Sequence, residues 1–416
     1  MNIVHVTHLY LPSVGGTEVH TRELSVELTK MGHHVSIYTT DASQFEDVLP
    51  KFGHKAERLG ALVYNDSGVA INRFHIESIL PISLAVKSLF FIGSGMKRLS
   101  LIRQDALDYI EAMNTSPVTP KLYLDILRSV DVDVVNSTPF TYGYSLLLNK
   151  ICQKKDIGFV VTPRAHILST AYSKSYLLKT AREADAVIAL TEGEQSFFVK
   201  HNTDKEKVFV TGIGIHPEAY VKVSGSCFKA KHNIPDSSKI VLFLGRLVGS
   251  KGIDILIESM RIVWEKFNDV YLVIVGRLET GSPKVEEMIH NYKKALLLTN
   301  VSEETKIDAL LSSDMLVFPA IYESFGGVFL EAWCAEKPVI GVMTPVTKCV
   351  VDDKVNGFLL KSLNKYELAE KIMYLLENEA EAKEMGKCGK KKVLKNYTWE
   401  IIAKKTLEVY EYASNK

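Results

Sequence analysis

The sequence predicts an α/β protein made of two doubly wound units. A strand–glycine loop–helix–strand pattern runs from Asn2 to Tyr38, and the same pattern begins again at Lys239. A chain of 416 residues is too long for one ordinary domain. Hydrophobic residues make up 46 %, enough for two cores, and this excludes global disorder.

In the first half, Asn2 to Thr7 reads as a short apolar strand followed by the loop His8 to Gly16. A helix from about Thr17 to Met31 places Leu24, Leu28 and Met31 on one face, and Gly32 stops it. His34 to Tyr38 returns as a strand. Gly15 and Gly16 let the backbone approach a ligand at the carboxyl end of the first strand, although glycines in such turns also serve geometry alone.

Residues 79 to 92, ILPISLAVKSLFFI, form a markedly apolar run followed by Lys97, Arg98 and Arg103. Pro81 and Lys87 interrupt it, and it is too short to span a bilayer. A core helix is the preferred reading, with an apolar lip at a cleft or membrane surface as the second. Val132 to Asn136 reads as a buried strand. The preceding Asp131 and Asp133 have metal-binding spacing, but acids commonly open apolar strands, and a magnesium pair belongs at a strand end beside phosphates. No metal is therefore expected. Phe159 to Thr162 is a strand ending in Pro163-Arg164-Ala165-His166. Asp185 to Leu190 is the next, with Thr191 opening a helix, and Val208 to Gly214 closes the half. Pro217 to Ser238 lacks a clear period and reads as an interdomain linker.

The second half opens with IVLFLGRLVGSKGIDILIESM. Arg246 follows the strand and Gly245, and Lys251 precedes Gly252 and the next helix. Two cations on one glycine-containing loop suit a diphosphate clamp; two solvated surface charges are the plainer alternative. After the strand Val270 to Val275 come LLLTN, a helix within Val301 to Ser313, and a buried strand, Met315 to Phe318, stopped by Pro319. Glu323 then lies in a loop, Gly326 and Gly327 open a helix, and Glu331 falls about one turn inside it. A helix start leaves N–H groups unpaired and carries partial positive charge, so it can hold a phosphate. Carboxylates on either side of it can grip hydroxyls flanking a diphosphate. Asp352 to Leu360 supplies a turn and a late strand, followed by charged amphipathic helices to the end.

Glu323 and Glu331, set in ESFGGVFLEAWCAEKPVIG and preceded by GRL and SKG, resemble the signature of retaining GT-B glycosyltransferases of the family 4, or glycosyl transferases group 1, type. The resemblance covers nearly the whole chain. It implies two Rossmann-like domains facing a cleft: 1–217 on the acceptor side, 218–398 binding the donor, and a helix 399–416 crossing back. By resemblance Glu323 meets the donor sugar, Glu331 the ribose hydroxyls, and the Gly326 and Gly327 amides the phosphate. Arg246, Lys251 and Arg164 join Glu323 as catalytic candidates. Gly15, Gly16, His166, Gly245, Ser324 and Phe325 join the substrate-binding set. The family often carries a histidine where Arg164 stands, with His166 two residues on, so both are candidates for facing the donor. Asn300 occupies a place where glycine is common, which leaves the nucleotide unread.

The implied reaction moves a sugar from a nucleoside diphosphate sugar to an acceptor hydroxyl, with retention and without metal or other cofactor. The acceptor is a glycan, a lipid-linked sugar or a small molecule. A non-catalytic nucleotide-sugar sensor or complex subunit, and a nucleotide-sugar epimerase on the same fold, are the alternatives. A phosphorylase has no local support. A net charge of +1 gives no reason to expect a nucleic-acid partner. Five scattered cysteines suggest a reducing compartment. The start MNIVHVTHLYLP lacks a signal-peptide pattern, so a cytoplasmic protein is expected, with peripheral association at the inner membrane face as a further option.

Overall fold

The computed structural model describes residues 1–49, 55–77, 103–222, 228–278 and 285–416; the apolar run 79–92, with Lys97 and Arg98, lies outside them. The chain divides into two compact units, Met1–Gly214 with Trp399–Lys416, and Ile215–Thr398.

The first unit contains β1 (Asn2–Val6), β2 (His34–Thr40), β3 (Leu62–Asp66), β4 (Val69–Phe74), β5 (Val134–Ser137), β6 (Gly158–Val161), β7 (Ala186–Ala189) and β8 (Val208–Val210). They form one sheet in the order β3-β4-β2-β1-β5-β6-β7-β8. Only the β3–β4 pair among these is antiparallel. That edge hairpin had no clear sequence signal, since β3 is half exposed and too polar to read as a core strand. Its turn runs through Ser67 and Gly68 with φ of 55° and 91°, the left-handed region that two-residue hairpins require.

The second unit is wholly parallel. Its strands are β9 (Lys239–Arg246), β10 (Val270–Arg277), β11 (Ala295–Thr299), β12 (Met315–Phe318), β13 (Val339–Val342) and β14 (Gly357–Leu360), in the order β11-β10-β9-β12-β13-β14. A parallel sheet covered on both faces needs strands that are apolar throughout. Ile240 to Phe243, Leu316, Val317, Val339 and Ile340 accordingly show no exposure.

Both sheets have a switch point, where successive strands stop adding on one side and begin on the other: β1/β5 in the first unit and β9/β12 in the second. Ligands of doubly wound sheets bind at the carboxyl ends of strands beside this point. The β9–β12 pairing spans only Met315↔Val241 and Leu316↔Leu242.

Two expectations change. Pro217–Ser238 is not a linker: the chain passes between units at Gly214/Ile215, and Tyr220 and Phe228 are buried in the second unit. The strand expected over Val208 to Gly214 stops at Val210. Asp133 accepts a hydrogen bond from the Asn2 amide at 2.7 Å, a structural role at the strand start. The last helix, Trp399–Ser414, belongs to the first unit. It is fixed there by Tyr410, whose hydroxyl lies 2.8 Å from His5 Nε2 and accepts from Asn136 Nδ2 at 2.6 Å. A Cβ on Gly158 or Gly214 would strike this helix at Ala413 or Trp399.

Candidate active site

In the second unit the candidate residues gather at the carboxyl ends of β9 and β12. Gly245, at φ 147°, lies against the Phe318 ring, and Arg246 ends β9 with an exposed side chain. The loop then turns through Gly249–Lys251 into Gly252, whose φ of 69° is left-handed. A Cβ at Gly252 would lie 2.5 Å from the Pro319 carbonyl oxygen. Only glycine lets the β9 loop press this closely on the end of β12.

That approach buries Lys251, which is 5 % exposed. Its Nζ donates to Glu323 Oε2 at 2.8 Å and to the Tyr322 carbonyl at 2.9 Å, and stands 5.5 Å from the Phe318 ring centre. Glu323 Oε1 accepts from the Ser324 amide at 3.2 Å. Lys251 and Glu323, 72 residues apart, are therefore an ion pair. A buried charge demands such a partner. The pair leaves a charged, oriented carboxylate at a strand end.

The helix Gly327–Cys334 follows, with Gly326 at φ 93° as its cap and no side chain bonded to its first amides. A Cβ on Gly326 would meet the Phe329 ring at 2.7 Å. Glycine is thus needed both for backbone conformation and for space, and the helix start stays open to an anion. Glu331 lies one turn further on. Ser324 is buried. The Phe325 side chain is 2 % exposed and packs edge-on to Tyr397, so only its backbone can face a substrate.

Sequence reasoning missed Lys306, which reaches Glu331 Oε2 at 2.9 Å from the helix Glu303–Ser312. Nothing in the local pattern marks it, because the pairing is made between helices.

In the first unit, Gly15 precedes and Gly16 opens the helix that ends at Lys30. Arg164 adopts φ 53° and donates from Nη2 to the Gly16 carbonyl at 3.2 Å. Chain segments after β1 and β6 thus meet beside the switch point. His166 instead packs its ring against Tyr172, at 5.7 Å between centres. Glu194 was also missed as a site component. Thr191 caps its helix by accepting the Glu194 amide, but the Glu194 carboxylate reaches across to the amides of Ala165 at 2.6 Å and Leu190 at 2.7 Å. Burial pushes this acid up to about 7, against the opposing pull of those amides and Arg164.

Among the described residues no group of three His, Cys, Asp or Glu is placed to hold a metal ion. No described helix is long and apolar enough to cross a membrane.

Residues 227–392 match the family described as Glycosyl transferases group 1. The whole chain is similar to an uncharacterized glycosyltransferase of Methanocaldococcus jannaschii, 26 % identical over 99 % of this chain and 98 % of the relative. A capsular polysaccharide biosynthesis glycosyltransferase, CapM of Staphylococcus aureus, is 29 % identical over 55 % of this chain and 61 % of its own length. Among solved structures, sucrose-phosphate synthase from Thermosynechococcus elongatus superposes with TM-score 0.71 at 17 % identity, covering 99 % of this chain and 98 % of that one. HepE from Anabaena, solved with UDP and glucose, gives TM-score 0.71 at 17 % identity over 99 % of both chains. The protein thus has the GT-B fold of these structures, and its segment 227–392 carries the match to glycosyl transferases group 1.

Proposed function

We propose that this protein is a glycosyltransferase that moves a sugar from a nucleoside diphosphate sugar to an acceptor hydroxyl, with retention and without a metal. One observation carries the reading: a Lys251–Glu323 ion pair at 2.8 Å stands just before a glycine-capped helix start, with Glu331 one turn inside. Cation, anion site and two carboxylates then follow the order of a nucleotide-sugar.

The difficult step is departure of the diphosphate. Arg246, Lys251 and the amides at Gly326 and Gly327 stabilise its growing charge, and preorganised donors of this kind are worth most where water is excluded. This electrostatic set takes the place that a divalent cation fills in metal-dependent transferases, so neither a metal nor another cofactor is needed. Glu323, held by Lys251, accepts hydroxyls of the donor sugar. Glu331 accepts those of the ribose. In the first unit Gly15, Gly16 and Arg164 are assigned to substrate, with His166 a less direct neighbour because its ring rests on Tyr172. The acceptor is a glycan, lipid-linked sugar or small metabolite. The similarity to a capsular polysaccharide biosynthesis enzyme favours a glycan.

The test is direct. A thermal-shift screen with UDP, GDP, ADP and their sugars should raise the melting midpoint for one nucleotide series, since a ligand that binds only the native state stabilises it. The matching donor should be slowly hydrolysed, equally well in excess chelator. Binding without any hydrolysis or transfer would make the protein a sensor. Loss in chelator restored by magnesium would end the metal-free reading.

A further inference from the structure

Glu331 is itself held. Lys306 Nζ lies 2.9 Å from its Oε2, with side chains 24 % and 22 % exposed. That oxygen is buried and has no hydrogen-bond partner beyond the ion pair. Lys306 also meets Glu303 at 2.7 Å on the outer side, where Glu303 is 69 % exposed. Burial would depress the Lys306 ammonium, but the Glu331 and Glu303 carboxylates outweigh it and hold the group above the usual lysine range. Lys306 is therefore charged at any working pH.

The Tyr220 phenol and the Cys334 thiol near Glu331 stay neutral. Burial first, and the Glu331 charge second, raise the Tyr220 phenol well above its ordinary value and push the Cys334 thiol up to about 12. A half-buried carboxylate in such surroundings calls for a cation partner, and its oxygens then accept from two hydroxyl donors. An ion pair at one oxygen also restricts the rotation of a flexible glutamate.

We propose that Lys306 is a positioning residue of the donor site: it holds Glu331 in one orientation, so that the carboxylate receives the ribose 2′- and 3′-hydroxyls of a nucleoside diphosphate. This rests on the glycosyltransferase reading above and adds a residue to it. The cation acts on ribose only through Glu331.

Calorimetry with UDP, GDP and ADP, each beside its 2′,3′-dideoxy analogue, tests this on wild type, K306M, K306R, E331Q and the K306M/E331Q double variant. K306M should weaken the ribonucleotide that binds wild type by about 5–30-fold, and leave its dideoxy analogue within twofold. The double variant should bind no more weakly than E331Q, because both changes remove one contact. It also restores charge balance, so it stays informative if K306M alone leaves Glu331 unpaired and melts early. In turnover, KM for the donor should rise while kcat holds, and K306R should recover most of the loss. Equal loss on the ribo and dideoxy forms, additive losses in the double variant, or a fall in kcat alone would each overturn the positioning role. Failure of every nucleotide to bind wild type would overturn the glycosyltransferase reading itself, and this inference with it.

Discussion

The two units use one topology but handle charge in opposite ways at their switch points. In the second unit the carboxylates Glu323 and Glu331 are matched by Lys251 and Lys306 at 2.8 and 2.9 Å. In the first, Glu194 is buried on backbone amides and rises to about 7, while His5 and His8 are driven down to about 3 by burial and His20 well below its usual value. Ion pairs keep a site charged across a wide pH range. Buried groups held by hydrogen bonds alone, such as Glu194 and His5, hold a shape but make stability depend on pH. The second unit thus carries ion-paired carboxylates after its strands, and the first carries buried groups whose titration couples to folding.

The largest expected effect is at the Lys251–Glu323 pair. R246A and K251A should each lower turnover by one to three orders of magnitude, roughly what loss of one electrostatic stabiliser costs. Far-ultraviolet circular dichroism should remain native for R246A, whose side chain is exposed, while K251A strips Glu323 of its cation and should also lower the melting midpoint. Wild-type turnover in the double variant would remove the diphosphate clamp from the reading.

Next comes the separation of the carboxylates. E331Q should weaken binding of the bare nucleoside diphosphate by about ten- to a hundredfold, the size of a charged hydrogen bond. E323Q should leave that affinity nearly unchanged and depress turnover by a similar factor. Calorimetry beside initial rates distinguishes them, and the reverse pattern would mean that the orientation of the donor is backwards.

The contrast in titration gives the third expectation. A histidine whose folded pKa lies below its unfolded 6.5 contributes full stability above pH 6.5 and loses it as pH falls towards 3. Glu194 acts in the opposite sense. Raised from 4.5 to about 7, it favours the fold at low pH and costs stability as pH rises through that window. Four lowered histidines, His5, His8, His20 and His33, against one raised glutamate make the first unit net acid-labile between pH 6.5 and 4.5. Of the three tryptophans, Trp399 alone lies in the first unit. In a W264F/W333F background its fluorescence should show the urea midpoint falling from pH 7 to pH 5. Adding E194Q should steepen that fall; a midpoint indifferent to pH would contradict the burial of these groups.

The smallest effect tests the docking of the last helix. Y410F removes the hydroxyl shared by His5 and Asn136, which should cost about 1–3 kcal/mol because two buried polar groups lose a partner. A shift of a few degrees in the Trp399-reported transition, with nucleotide binding unaltered, is the expected readout.

What the chain determines locally was legible. Buried parallel strands are short apolar runs, and Met315–Phe318 ends at Pro319 as its residues require. Gly326 followed by Gly327 marks a helix start because a left-handed cap admits little else. The order of Arg246, Lys251, Glu323 and Glu331 could be read through the family resemblance, with local pattern placing Arg246 at a strand end, Lys251 and Glu323 after strands, and Glu331 one turn inside a helix. Only the tertiary structure decided which charge meets which. Lys251 finds Glu323 across 72 residues, Lys306 finds Glu331 from another helix, Glu194 joins two strand ends, and Tyr410 reaches His5 across 405. Each pairing follows from sheet order and helix packing, where distance in space is set by the whole core and leaves no periodic trace along the chain.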